Sequence, residues 1–232
     1  MSGAAPRVRI RDAASLVLFD RSGGRTRFLM GVRASGHLFM PGHLVFPGGR
    51  LEASDVALAR HLPLDAAVTE RLMRGSPKLA SRRRAAALAL AAIRETQEET
   101  GLLFAERGAS PPLPDAFAPF ARAGAVPCPR ALVPLARAVT PPGMPRRFDA
   151  RFFLAPADCL LERPDPIAPP SDEFETVIWV GSEELKAFRV ADITRLILEA
   201  AFARIDEGSH GDVSAPIPFF RRRGLTHTVE HL

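Results

Sequence analysis

Three carboxylates gather in the segment Arg94-Glu95-Thr96-Gln97-Glu98-Glu99-Thr100-Gly101-Leu102. Glu95, Glu98 and Glu99 follow the i, i+3, i+4 spacing, so on a helix they lie on or near one face. A helix is what the preceding residues predict. Ala85 to Ile93 are strong helix formers, Ser81 suits an N-cap, and Gly101 suits the C′ stop, giving a helix over Arg82 to Thr100. Like charges at this spacing repel, and the negative end of the helix dipole disfavours anions. A solvated charged face accounts for the spacing but not for its placement at that end. A hard divalent cation accounts for both. Mg²⁺ and Mn²⁺ prefer oxygen ligands, and Mg²⁺ takes few protein carboxylates, keeping water and substrate phosphate as its other ligands. Arg94, directly before the cluster, can pair with a carboxylate and fix its orientation.

Other elements must bring a substrate to these groups. Ala13 to Phe19 and Arg27 to Arg33 are predicted as two strands of a hairpin around Ser22-Gly23-Gly24. Leu44 to Phe46 is a short strand that Pro47-Gly48-Gly49 ends, and the glycines allow the backbone to approach a phosphate closely. Short helices are expected at Ser54–His61 and Leu64–Arg74, and another at Asp115–Ala123. Further strands are expected at Leu102–Ala105, Ala131–Val139, Phe148–Leu154 and Phe174–Val180. Ser182 caps a short helix to Phe188, Asp192 caps an amphipathic one to Ile205, and the residues from Glu207 to Leu232 are expected to be irregular. This order of strands and helices points to an α+β layered fold, one domain spanning residues 1–232 with a mixed central sheet.

The combination of Phe46-Pro47-Gly48-Gly49 with Arg94–Leu102 resembles the Nudix box, G-x5-E-x7-R-E-U-x-E-E-x-G-U, where U is aliphatic. Gly49 matches the leading glycine. Arg94, Glu95, Glu98, Glu99, Gly101 and Leu102 match the trailing half, with Thr96 at an aliphatic position. Two departures stand out. Roughly thirty residues, at about 52–80, are inserted within the box. The middle glutamate is missing: the forward count from Gly49 falls on Asp55 and the backward count from Arg94 on Ala86. The segment Arg33–Gly49, the insertion and the strand around Arg146–Phe153 resemble the coenzyme A diphosphatase branch of the Nudix hydrolases.

That resemblance implies an α/β/α Nudix fold and hydrolysis of a nucleoside diphosphate linked to a further moiety, with Mg²⁺ or Mn²⁺ as cofactor. It implies Glu95, Glu98 and Glu99 as metal ligands, with Glu95 also a candidate base and Arg94 among the catalytic set. Glu173, before the strand that carries Trp179, is the candidate for the extra loop glutamate common in the family. Arg33, Arg146, Arg147 and the backbone of Gly48 and Gly49 are candidates for holding substrate phosphates, against the plainer alternative of surface arginines. Coenzyme A or an acyl-coenzyme A leads the substrates. ADP-ribose, NADH, dinucleoside polyphosphates and modified nucleoside triphosphates stay open, as does a non-catalytic nucleotide-binding regulatory module. The insertion is expected to cover the substrate site or to form a homodimer contact.

Composition narrows the classes. Apolar residues make up 47% and charged residues 25% of the 232, as in globular proteins. No apolar run reaches the roughly 20 residues of a membrane span, and Met1 to Asp12 lacks the apolar core of a secretory signal. With two distant cysteines, Cys128 and Cys159, a disulfide framework or zinc site is not expected, and a cytoplasmic, reducing setting is. The net charge of +5 suits an anionic small molecule. Nucleic-acid binding is disfavoured, because no aromatic platform accompanies Arg82-Arg83-Arg84 or Arg221-Arg222-Arg223. The six histidines show no ligand spacing, and Trp179 is expected in the core rather than as a base-stacking platform.

Overall fold

Eleven β-strands and five α-helices follow one another in a computed structural model that describes residues 8–36, 40–76, 79, 81–223 and 226–232. The N-terminal residues 1–7 and His37-Leu38-Phe39, which belong to segments singled out above, lie outside the described residues.

The centre is β1 (Ile10–Asp20). It pairs in parallel with β8 (Arg147–Pro156) and antiparallel with β2 (Arg27–Arg33) and with the short β4 (Gly48–Arg50). The sheet continues from β8 through β7 (Val133–Val139) to the hairpin of β10 (Pro218–Arg223) and β11 (Thr226–His231). On the other side, β2 carries β3 (Leu44–Val45) and β9 (Phe174–Gly181). A separate ladder joins β5 (Ala105–Arg107) to β6 (Ala125–Pro127). Parallel and antiparallel pairs coexist, as expected of a mixed sheet.

The period-two geometry of β1 sorts its side chains into two cores. Ala14, Leu16 and Leu18 pack beneath α3 (Arg82–Thr100), while Val17 and Phe19 pack with Ile197, Leu198, Ala201 and Ile205 of α5 (Asp192–Asp206). Leu16, Val17 and Leu18 are wholly buried, each worth about 1.5–3 kcal/mol relative to exposure. Such a continuous apolar run is the mark of a strand covered on both faces. Helices therefore flank the sheet on both sides, giving the α/β/α sandwich.

The inserted residues are built into the α3 side. α1 (Ala53–Leu58) and α2 (Ala66–Met73) pack on α3 through Leu58, Val68 and Leu72. The end of the insert is then tied to the sheet. Arg137 Nη1 donates to the Gly75 carbonyl at 2.7 Å, and Arg151 Nη2 to Ser76 Oγ at 2.7 Å, with Asp149 pairing both arginines.

Several expectations need correction. Residues 207–232 are not irregular throughout. Phe219 and Phe220 are buried, and Phe219 is flanked by the guanidinium groups of Arg137 and Arg221 at 4.1 and 4.2 Å, so apolar and aromatic residues hold β10 on the sheet edge. Gly48 and Gly49 do not merely end a strand; they pair with Ser15 and Ala14 as part of β4. Asp192 is the first residue of α5 and Ala191 its cap, a position where the carboxylate still complements the dipole. Ser182 precedes only a 3-10 turn at Glu184–Ala187. The strand expected at Leu102–Ala105 begins at Ala105, and the helix expected at Asp115–Ala123 divides into a 3-10 turn and α4 (Ala118–Arg122).

Candidate active site

The carboxylate-bearing end of α3 is fixed by its stops. Ser81 accepts a hydrogen bond from the Arg84 amide at the start, and Gly101 adopts φ 76° at the end. This left-handed conformation costs glycine little. Between them Arg94 is 1% exposed and Asp55 is 0% exposed. Arg94 Nε and Nη2 donate to Asp55 Oδ1 and Oδ2 at 2.9 and 3.1 Å. Nη2 also donates to the Arg50 carbonyl at 3.0 Å, while Nη1 reaches Glu98 Oε2 at 2.8 Å and Glu95 Oε1 at 3.0 Å. One guanidinium thus binds the glycine strand, the insert helix and two of the three helix glutamates. Burial alone would drive the Asp55 carboxyl up, and its fork–fork pairing with Arg94 partly offsets this.

Asp55 occupies the sequence position where the box was thought to lack its middle glutamate. A carboxylate at that position binds the arginine of the trailing half. Asp55 also closes a capping box at the start of α1, since its carboxylate accepts from the Glu52 amide at 2.8 Å. The forward count from Gly49 pointed to it, and a carboxylate at that count was the available signal.

The glycines govern how the helix carboxylates meet the cleft. Gly48 N–H donates to Glu99 Oε2 at 2.9 Å. A Cβ on Gly49 would come within 2.4 Å of the Glu95 carboxylate, and one on Gly48 within 2.3–2.6 Å of Ser15 and the Ala14 carbonyl. Glu95 reaches the cleft only because position 49 has no side chain. Burial first, then neighbouring carboxylates, push Glu95 up to about 7. Glu99 is pushed well above the ordinary range by burial and by the charges of Glu173 and Glu95, and Glu98 is raised by burial. The site concentrates carboxylate oxygen donors whose ionised forms are disfavoured by burial.

Glu173, at the approach to β9, faces the same place. It pairs with Arg33 Nη1 at 3.2 Å, and its backbone carbonyl accepts from the Ala34 amide at 3.0 Å. Glu95, Glu173, Arg33, Gly48, Gly49, Arg146 and Arg147 all line one cleft of about 1170 Å³. Arg94, Glu98 and Glu99 do not line it, and Arg94 is buried. No described residue of 52–80 lines the cleft either. The helices of the insertion pack against α3 instead.

A NUDIX hydrolase from Alicyclobacillus acidocaldarius superimposes with a TM-score of 0.64 at 25% identity, over 84% of this chain and 92% of that one. The fold is the Nudix hydrolase fold. Two weaker likenesses are a MutT/nudix family protein from Enterococcus faecalis (TM-score 0.49, 13% identity, 93% of this chain and 71% of that one) and the NUDIX domain of Shewanella oneidensis NrtR, complexed with ADP ribose (0.48, 13%, 85% and 89%). No protein-family profile matches the chain, and no curated protein matches it. Within the Nudix fold, the two halves of the split box come together in space: Gly48 bonds Glu99 across 51 residues, and Asp55 bonds Arg94 across 39.

Whether these residues fit a divalent cation can be tested on the donor set. Glu95, Glu98 and Glu99 offer only carboxylate oxygens, the ligands of Mg²⁺ and Mn²⁺, and their mutual charge is what a cation would relieve. As the chain stands, Glu98 and Glu95 are turned toward Arg94, and among the described residues no three His, Cys, Asp or Glu side chains converge on one point. The Glu98 side chain is 43% exposed. The donor chemistry fits. Among the described residues, no helix is long and apolar enough to cross a membrane.

Proposed function

We propose that this chain is a Mg²⁺- or Mn²⁺-dependent hydrolase that cleaves a nucleoside diphosphate linkage, with coenzyme A or an acyl-coenzyme A as its leading substrate. The observation that carries this reading is the Glu95 carboxylate, which enters the cleft past a glycine backbone and stands among Glu99, Glu173 and Arg33. Glu95, Glu98 and Glu99 would hold the cation. When bound, it supplies Lewis acidity that lowers the pKa of water and neutralises phosphate charge.

The chain's own groups supply the rest. The bare backbone of Gly48 and Gly49 lets a diphosphate lie close to the carboxylates. Arg33 orients Glu173 from one side and can meet a phosphate oxygen from the other. A water oxygen adds to one phosphorus, a cleft carboxylate (Glu95 or Glu173) accepts the water proton, and the bridging P–O bond breaks with its oxygen leaving on the second phosphate. Arg94, locked by Asp55, keeps Glu95 and Glu98 at the cleft end of α3. For coenzyme A the products are adenosine 3′,5′-bisphosphate and a phosphopantetheine.

The cleft, at about 1170 Å³, is large enough for an extended substrate. A non-catalytic nucleotide-binding module is the weaker reading, because all three helix glutamates, Glu95, Glu98 and Glu99, are retained. The test is incubation of the pure protein with coenzyme A, ADP-ribose, NADH and a dinucleoside polyphosphate in Mg²⁺, with products identified by mass spectrometry. Phosphopantetheine release supports the coenzyme A reading. Turnover of the other nucleotides without it would overturn that reading.

A further inference from the structure

The cleft continues well past the carboxylates, and its far end is built from arginine. Strand register shows how. β1 and β8 place Ser15 beside Phe152, Ala13 beside Ala150 and Arg11 beside Phe148. Ala138 of β7 pairs with Ala150 and with Phe220 of β10. Successive rows of the floor therefore run from Ser15, next to Gly48, through the small side chains of Ala13, Ala150 and Ala138, to Arg11. Four residues separate Ser15 from Arg11, about 13 Å at the strand rise. Arg9, Arg146, Arg147 and Arg222 line the same end.

Several arginines of the fold have a carboxylate partner. Arg84 is paired with Asp12, Arg94 with Asp55, and Arg137 and Arg151 with Asp149. Arg9, Arg11 and Arg146 have no carboxylate within ion-pair distance among the described residues, although they share one cleft wall. Arg147 is oriented by donating to the Thr140 carbonyl at 3.1 Å. What Arg9, Arg11, Arg146 and Arg147 share is convergence on one end of a trough, and planar guanidinium groups gathered there suit an anion.

We infer that this end of the cleft is a second phosphate subsite: it binds a phosphate monoester carried by the substrate on a sugar hydroxyl remote from the diphosphate that is cleaved. The inference rests on the cleavage reading above and narrows it to substrates with that extra phosphate. The rows of alanine between the two ends leave a shallow floor for the connecting nucleoside.

The experiment pairs compounds that differ only in the remote phosphate: coenzyme A with dephospho-coenzyme A, and NADPH with NADH. Each kcat/KM ratio is measured for the wild type and for the double variant Arg9→Gln/Arg11→Gln. We expect the wild type to prefer at least one phosphorylated member by about tenfold or more, equivalent to about 1.4 kcal/mol. We expect the variant to bring that ratio near one while leaving the dephosphorylated member's turnover unchanged. Calorimetric binding of adenosine 3′,5′-bisphosphate against 5′-AMP provides a readout that needs no turnover. Tighter binding of the bisphosphate, abolished in the double variant, sustains the subsite even if no diphosphate is cleaved. Equal affinity for the two ligands, or a preference that the variant retains, overturns it.

Discussion

Asp55 and Arg94 stand 39 residues apart in sequence and meet through two hydrogen bonds, of 2.9 and 3.1 Å, in a site that excludes water from both. The first lies on a helix of the insertion and the second on the helix that carries the candidate metal ligands. The pair thus ties the insertion to the helix that carries the glutamates. A buried ion pair is weak evidence of net stabilisation, yet removing one partner is costly, because the other charge remains buried.

Asp55→Ala tests that cost. We expect a loss of about 3 kcal/mol in unfolding free energy, with Arg94 still partly served by Glu98, Glu95 and the Arg50 carbonyl. Urea denaturation reads it directly. A loss below about 0.5 kcal/mol, the range of an ordinary surface change, would show that Asp55 does not brace Arg94.

Gly48 and Gly49 separate packing from positioning. At Gly49 a new Cβ meets the movable end of the Glu95 side chain, whereas at Gly48 it meets Ser15 and the fixed Ala14 carbonyl. Gly49→Ala is therefore expected to fold normally and to lose about a hundredfold in turnover through displacement of the carboxylate. Gly48→Ala is expected to destabilise the fold. Thermal unfolding and kinetics measured on both variants check the contrast, and equal stability losses at the two positions would contradict it.

Phe219→Ala probes the edge hairpin. The ring is 1% exposed and lies between Arg137 and Arg221. We expect about 3–5 kcal/mol of destabilisation, as for other buried phenylalanines. A near-neutral result in chemical denaturation would mean that β10 is not held on the sheet through this residue.

How much of this could be read from the chain depends on whether the signal was local. The helix from Arg82 to Thr100 and the strand from Arg27 to Arg33 were legible to the residue, because capping chemistry and apolar runs act within a few positions. Gly49 and Glu95 were legible through the motif, Arg33, Gly48 and Glu173 were candidates beside it, and the structure brings all five to one cleft. Asp55 was passed over because a linear pattern demands that the forward and backward counts agree, and an insertion between them makes one count fail. The hairpin at the C-terminus was hidden by the prolines at 216 and 218 and by its arginines, whose strand geometry is imposed by pairing with β7 rather than by propensity. The arginine end of the cleft was invisible for the same reason: Arg9, Arg11 and Arg222 become neighbours only through strand register.

The central claim is that the glutamates of α3 act together in cleaving a nucleoside diphosphate with a divalent cation. The most direct measurement is turnover of coenzyme A and the nucleotide panel with Mg²⁺, for the wild type and Glu98→Gln side by side. We expect hydrolysis by the wild type and a loss in the variant larger than the roughly 10- to 100-fold that removal of an outer-shell partner causes, with both proteins folded to the same stability within about 1 kcal/mol. Unchanged turnover in Glu98→Gln, or wild-type turnover that persists after the cation is chelated, would contradict it.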